Sequence, residues 1–344
     1  MGGAFELGLY TFGEMTPDAQ TGKAISAQQR LADVLAAAKL ADAAGLDVFA
    51  VGEHHRLDMS ISATPVVLAA IAATTRQIRL ASAVTILSTA DPVTVFEDFA
   101  TVDLISGGRA EIIAGRGAFT ESFALFGYDL ADYDAVFAEK LDLLMKLNGA
   151  ERVTWQGRFR PALQDAPIPP RPAQKPLPIW LGTGGTPSSV ERAGALGLPL
   201  ALANISVPPA KLAPLADLYR RTGSQAGHDA RALKISIATH MHIADDSQDA
   251  RDTFYPHYAA YFRTHVPTHF RAREISRADF ETLAASDGPT FVGSPQQIVD
   301  KIMYERELFG HQRFLAQIDI GGLPFAKVAR VIELFATKVA PAVR

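Results

Sequence analysis

Eight apolar runs, each followed by a stretch with the roughly 3.6-residue period of a helix, recur along the 344-residue chain, and this alternation limits the fold more than any other feature. A strand, a helix and another strand in that order require parallel strands joined by crossovers, and eight such units predict a single-domain (β/α)8 TIM barrel over 1–344. The expected strands are Phe5 to Phe12, Leu46 to Gly52, Ile78 to Leu87, Ala110 to Ala114, Leu177 to Gly182, Leu198 to Asn204, Lys234 to Ile243 and Arg313 to Ile320. Helix punctuation agrees. Ser26 with Gln29 forms a capping box, Thr64-Pro65 and Asp91-Pro92 read as a cap with a first-turn proline, and Gly45 and Gly107-Gly108 read as stops. A further helix runs from Ser294-Pro295 to Gly310, and the last from about Pro324 to Val339.

Two stretches break the rhythm. Residues 117–176 hold a predicted helix from Tyr133 to Leu147, a hairpin turning at Gln156-Gly157 and many prolines, which together read as an insertion after strand 4 at the barrel mouth. The Arg-, His- and Asp-rich stretch 264–290, before strand 8, reads as a lid carrying a short helix.

With 48% apolar and 20% charged residues the chain has material for a large core. The net charge of −4, with Lys and Arg scattered, offers no stripe for a nucleic-acid backbone. Absence of cysteine excludes disulfides, thiolate metal sites and thiol nucleophiles. The amino-terminal residues carry no signal-peptide pattern and no apolar run is long enough for a bilayer, so a cytoplasmic protein without a membrane partner is expected.

In such barrels the chemistry gathers where strands end and βα loops begin. Glu53-His54-His55 follows strand 2, where neighbouring side chains point to opposite sides, so one histidine faces the pocket. His54 is the candidate acid or base, against a plain hydrogen-bonded rim role, and no metal is expected because the spacing does not bring both rings to one side. Arg116, flanked by glycines after strand 4, suits a phosphate; Arg109, at the other end of that strand, reads as a stabilising ion pair at the barrel bottom. Gly182 to Ser189 runs from strand 5 into a helix whose free amides, with the Ser188 or Ser189 hydroxyl, make an anion site; Gly184, Gly185 and Thr186 lie in it. Pro187 stands where a dinucleotide fingerprint needs its third glycine, and the P-loop lysine is missing. Small residues from Ala81 to Val84 leave room for a flat ring, although packing is the commoner use. His240 and His242 share one strand face without an evident third metal partner, and Trp155, Trp180 and the Phe123-Phe126 pair read as packing.

The order of AGLDVFAVGEHH, IRLASAVTILSTADP, EDFATVDLISGGRAEIIAGRG, ESFALFGYD, PLPIWLGTGGTPSSVERAGALGLPL, VGSPQQIVDKI and IDIGGLPFAKVARVIELFATKVAP resembles the bacterial luciferase-like flavin-dependent monooxygenases over nearly the whole chain. The resemblance implies FMN bound at the carboxyl ends of the strands, usually in a homodimer. It implies phosphate-binding positions at Arg116, Gly185, Thr186 and Ser189, a non-proline cis peptide between Ala83 and Val84 beneath the flavin ring, a catalytic role for His54 and an aromatic neighbour of the flavin at Tyr10. It further implies FMNH2 delivered by a separate NAD(P)H-dependent flavin reductase and, through a flavin hydroperoxide formed with dioxygen, oxidation of a small organic substrate such as an aldehyde, ketone or sulfonate. Two positions depart from the family. Gly115 stands where light-emitting members have a reactive cysteine, and Gly185 where a glutamate occurs. Three other readings remain: a deazaflavin-dependent oxidoreductase on the same barrel, a non-catalytic flavin-binding protein, and a metal-dependent hydrolase built on His54, His55, His240 and His242.

Overall fold

The structure, a computed structural model, describes residues 5–19, 21–266 and 274–344. The barrel strands are β1 (Glu6–Thr11), β2 (Val48–Val51), β3 (Arg79–Ser82), β4 (Ala110–Gly115), β5 (Ile179–Thr183), β6 (Leu200–Ala203), β7 (Ile235–Ile243) and β8 (Arg313–Gln317). Each pairs in parallel with the next, and β8 pairs with β1, so the eight form a closed ring surrounded by helices as the alternation predicts. Closure satisfies every strand edge and aims all eight carboxyl ends at one mouth.

The third apolar run is not one strand. It breaks after Ser82 and resumes as Thr85–Ile86, which pairs with the end of β4; the intervening Ala83–Val84 peptide is cis. The eighth ends at Gln317 and passes into a short 3₁₀ turn, Ile320–Gly322. β7 is nine residues long because its far end gains a partner the sequence did not reveal, Phe291–Gly293. Thr64 is not a cap: that place belongs to Ala63, which has no cap hydrogen bond, and Thr64 is the first helical residue.

Side chains alternate across the ring. Tyr10, Val48, Ala50, Ala81, Ile113, Trp180 and Leu315 fill the interior, while the opposite faces pack against the helices. At the bottom the interior is ionic. Arg313 bonds Glu111 at 2.6 Å and Glu6 at 2.7 Å, Arg79 also reaches Glu111, and the Arg313 guanidinium lies 4.3 Å from the Trp180 ring centroid. Burial works to raise the Glu111 carboxyl, but Arg313 and Arg79 hold it below the usual carboxylate range. Arg109 is not part of this set. It donates instead to the carbonyls of Ala72, Thr75, Ile78 and Ser106, making it a backbone clamp and not the ion pair its position suggested.

The 117–176 excursion shares the outer core. Phe137, Leu141 and Leu144 of the helix Tyr133–Gly149, with Val153 and Trp155 of the hairpin Arg152–Trp155/Leu163–Pro167, are buried with the barrel helices, and the hairpin turn spans 156–162. Lys140 fastens it by donating to the carbonyls of Ser88 and Ala90, each at 2.8 Å. Phe123 packs as expected, whereas its partner Phe126 is half exposed. The expected lid begins on the helix Ser247–His265 and includes the short helix Arg277–Leu283; its 267–273 portion lies outside the described residues. Among the described residues no helix is long and apolar enough to cross a membrane.

Removing one member of a buried ion pair leaves the other charge stranded in low dielectric. Glu111→Ala is expected to cost roughly 3–5 kcal/mol, read as a lowered urea midpoint, and the buried Arg313 guanidinium is the physical reason.

Candidate active site

The mouth is assembled from loops that leave four consecutive strands. Arg116 directly follows β4, and Thr186 occupies the N-cap position of the helix Pro187–Leu196 after β5 without a side-chain cap hydrogen bond among the described residues; the Arg116 Nη2 donates to Thr186 Oγ1 at 3.1 Å. An arginine and a helix amino end, some seventy residues apart in the chain, therefore meet at one point. Ser189, one turn into that helix, is buried beneath it. Gly185 has φ +107°, a conformation that favours glycine, and a side chain at Gly184 would meet only open space. Not all of the amides counted from sequence are free: Gly185 and Thr186 donate theirs to Thr183 Oγ1 at 3.2 and 3.3 Å. Arg116 also carries a partner the sequence did not expose, the carboxylate of Asp134, and Arg192 lies within electrostatic reach of both.

Beside this corner the Ala83–Val84 bond is cis, where the resemblance implies one. Glycines of three neighbouring strands crowd it. A Cβ on Gly115 would come within 2.5 Å of Val84, one on Gly182 within 2.7 Å of Val84, and one on Gly52 within 2.7 Å of the Ala83 carbonyl. That crowding accounts for glycine at 115 in this chain: any larger side chain there would push Val84 away. Tyr10 points into the ring nearby, buried and edge-on to Phe12 at 5.5 Å. Burial and the neighbouring Glu14 raise its phenol above the ordinary range, so it stays protonated.

The EHH motif divides its work as strand alternation predicts. The Glu53 carboxylate accepts from the Ile86 amide at 3.0 Å and pairs with His55 Nε2 at 2.8 Å, which ties the loop after β2 to the segment after the cis bond. His54 turns the other way. Its ring is buried edge-on between Phe12 at 5.0 Å and Phe119 at 4.9 Å, and its Nδ1 lies 3.5 Å from Glu121 Oε1. That separation is an ion-pair contact without a formed hydrogen bond.

Residues 6–312 match the family described as luciferase-like monooxygenase. The chain belongs to that family. It is 24% identical over 97% of its length, and 94% of the relative's, to the oxygenase component of the flavin-dependent trigonelline monooxygenase of Acinetobacter baylyi. Its fold matches the monooxygenase RslO1 of Streptomyces bottropensis with a TM-score of 0.85 and 26% identity, covering 98% and 100% of the two chains. It matches the FMN-bound oxygenating constituent of 3,6-diketocamphane monooxygenase from Pseudomonas putida with a TM-score of 0.79 and 20% identity, covering 99% of each.

Within this luciferase-like barrel, the residue set at the mouth is larger than the one sequence reasoning named. Gln317 stands level with Tyr10 and His240 in the strand register, and its Nε2 donates to Glu14 Oε1 at 3.1 Å. Arg30 bonds Asp319 at 2.6 Å and approaches Glu14 at 3.6 Å. Glu14 was missed because it sits in an irregular loop after β1, a single carboxylate with no motif around it. Burial, reinforced by Asp319 and opposed by Arg30, pushes the Glu14 carboxyl up to about 8. Among the described residues no group of three or more His, Asp and Glu side chains is placed to hold a metal ion. His54, His55, His240 and His242 are turned to separate neighbours, since His240 faces Tyr258 and Tyr261 while His242 stacks on Phe254.

A carboxyl whose folded value is raised binds its proton more tightly in the folded state, so its contribution is fully present below the ordinary glutamate range and is lost as pH climbs towards about 8. Glu14→Gln removes that loss. Its unfolding free energy relative to wild type is expected to improve by roughly 1–3 kcal/mol between pH 5 and pH 9, and a pH-independent difference in urea unfolding would contradict the assignment.

Proposed function

We propose that this chain is an FMN-dependent monooxygenase that takes reduced FMN from a separate reductase and uses dioxygen to oxidise a small organic substrate at the barrel mouth. The observation that carries the reading is the meeting of Arg116 with the amino end of the helix after β5, at 3.1 Å. A guanidinium, the Thr186 hydroxyl, a buried serine and an open glycine turn suit the dianionic terminal phosphate of FMN. Membership of the family, with one relative an oxygenase component and another an FMN complex, supports flavin and a partner reductase.

Bound there, the reduced flavin supplies the electrons that activate dioxygen. The chain's own residues supply position and shelter. Arg116, Gly184, Gly185, Thr186 and Ser189 anchor the phosphate; Ala83, Val84 and Tyr10 face the flat ring. His54 holds or gives a proton at the mouth, and Phe12 and Phe119 exclude water beside it. A homodimer of single-domain barrels belongs to the same reading.

Asp134 neutralises Arg116 from an exposed position, so an incoming phosphate displaces it and meets its repulsion. Arg116→Ala is expected to weaken FMNH2 binding in anaerobic titration by about 1–3 kcal/mol, and Asp134→Ala to tighten it by roughly threefold to tenfold. Wild-type affinity in Arg116→Ala would refute the phosphate assignment. His54→Ala is expected to keep FMNH2 affinity while substrate-dependent oxygen uptake falls by about 10²–10⁴-fold. Preferential binding of a reduced deazaflavin without oxygen uptake would instead favour the hydride-transfer reading.

A further inference from the structure

We propose that Glu121 is a positioning residue for His54, fixing its ring orientation and tautomer so that Nε2 is the nitrogen offered to the mouth. This rests on the reading of His54 as the group that holds a proton at the site. Glu121 opens the short helix Glu121–Phe126, which follows the loop carrying Arg116, and its Oε1 stands 3.5 Å from His54 Nδ1. Both atoms are sealed from solvent and neither has a hydrogen-bond partner among the described residues, while His54 Nε2 is not one of the sealed, unpartnered atoms. A lone buried acceptor facing a lone buried ring nitrogen is satisfied by one shared proton, and a closer approach of a few tenths of an ångström forms the bond.

Among the described residues, Glu121 is the ring's one anionic contact. Phe12 and Phe119 close its faces edge-on. His55 is turned away to Glu53. The charged groups nearby are Arg56, which is committed to Asp58, and His265, which pairs with the same Asp58 at 2.8 Å. Burial works to raise the Glu121 carboxyl, but His54, its own backbone amide and Arg56 hold it below the usual range, so it is an anion at neutral pH. An anion at Nδ1 stabilises the Nδ1–H tautomer and leaves the Nε2 lone pair free, the arrangement by which a carboxylate orients a working imidazole.

The experiment is ¹⁵N-histidine NMR of the cofactor-free protein, with His54 signals identified by their loss in His54→Gln. Wild type is expected to show His54 mainly as the Nδ1–H tautomer. Glu121→Gln, which keeps the shape and removes the charge, is expected to raise the Nε2–H fraction, and Glu121→Asp to restore part of the Nδ1–H tautomer. Substrate-dependent oxygen uptake in Glu121→Gln is expected to fall about tenfold or more in kcat with FMNH2 affinity unchanged. An unchanged tautomer in both variants would overturn the proposal. Failure of wild type to bind FMNH2 would overturn the flavin reading alone, since the NMR measurement needs no cofactor.

Discussion

Closure of the ring between β6 and β7 and between β8 and β1 is the constraint from which the site follows. An open parallel sheet would place the ends of β2 and β5 at separate stretches of one edge. A closed one curls them onto a single rim, so His54 after β2, the Ala83–Val84 bond after β3, Arg116 after β4 and Thr186 after β5 border one mouth. Each contributes little alone; the ring supplies their convergence.

The two ends of the barrel interior treat polar groups differently. At the bottom, Arg313, Glu111, Arg79 and Glu6 form a set in which each charge has an oppositely charged partner, as burial requires. At the mouth, one oxygen each of Glu14, Gln317 and Asp319 and both ring nitrogens of His240 are buried without hydrogen-bond partners among the described residues. Buried polar atoms cost free energy when unmatched, and such imbalance concentrates where a protein works. The same contrast accounts for the upward push on the Glu14 carboxyl, which burial raises towards neutrality.

Much of the candidate site was legible because it lies in local patterns. Arg116 between two glycines, the glycine-rich turn into a proline-started helix and the paired histidines after a strand are each short-range signals with a mechanical meaning. Residues whose contacts are with distant partners gave no such signal. Asp134 is one acidic residue in an amphipathic helix until the fold sets it on Arg116, and Glu121 is an ordinary first-turn glutamate until the loop after β4 folds it against His54. Arg109 went the opposite way: an arginine at a strand's lower end looked ionic, yet it found a ring of backbone carbonyls.

By itself, then, the sequence determined the eightfold alternation, the parallel order of the strands, most helix starts and stops, and which loops carry the chemistry-bearing residues, because hydrophobic period and cap chemistry act within a few residues. Only the tertiary structure decided where β3 breaks, which charges pair, which amides are already taken by Thr183 and which carboxylate faces His54. Those outcomes depend on through-space electrostatics and packing between residues tens to hundreds of positions apart, which no local pattern encodes.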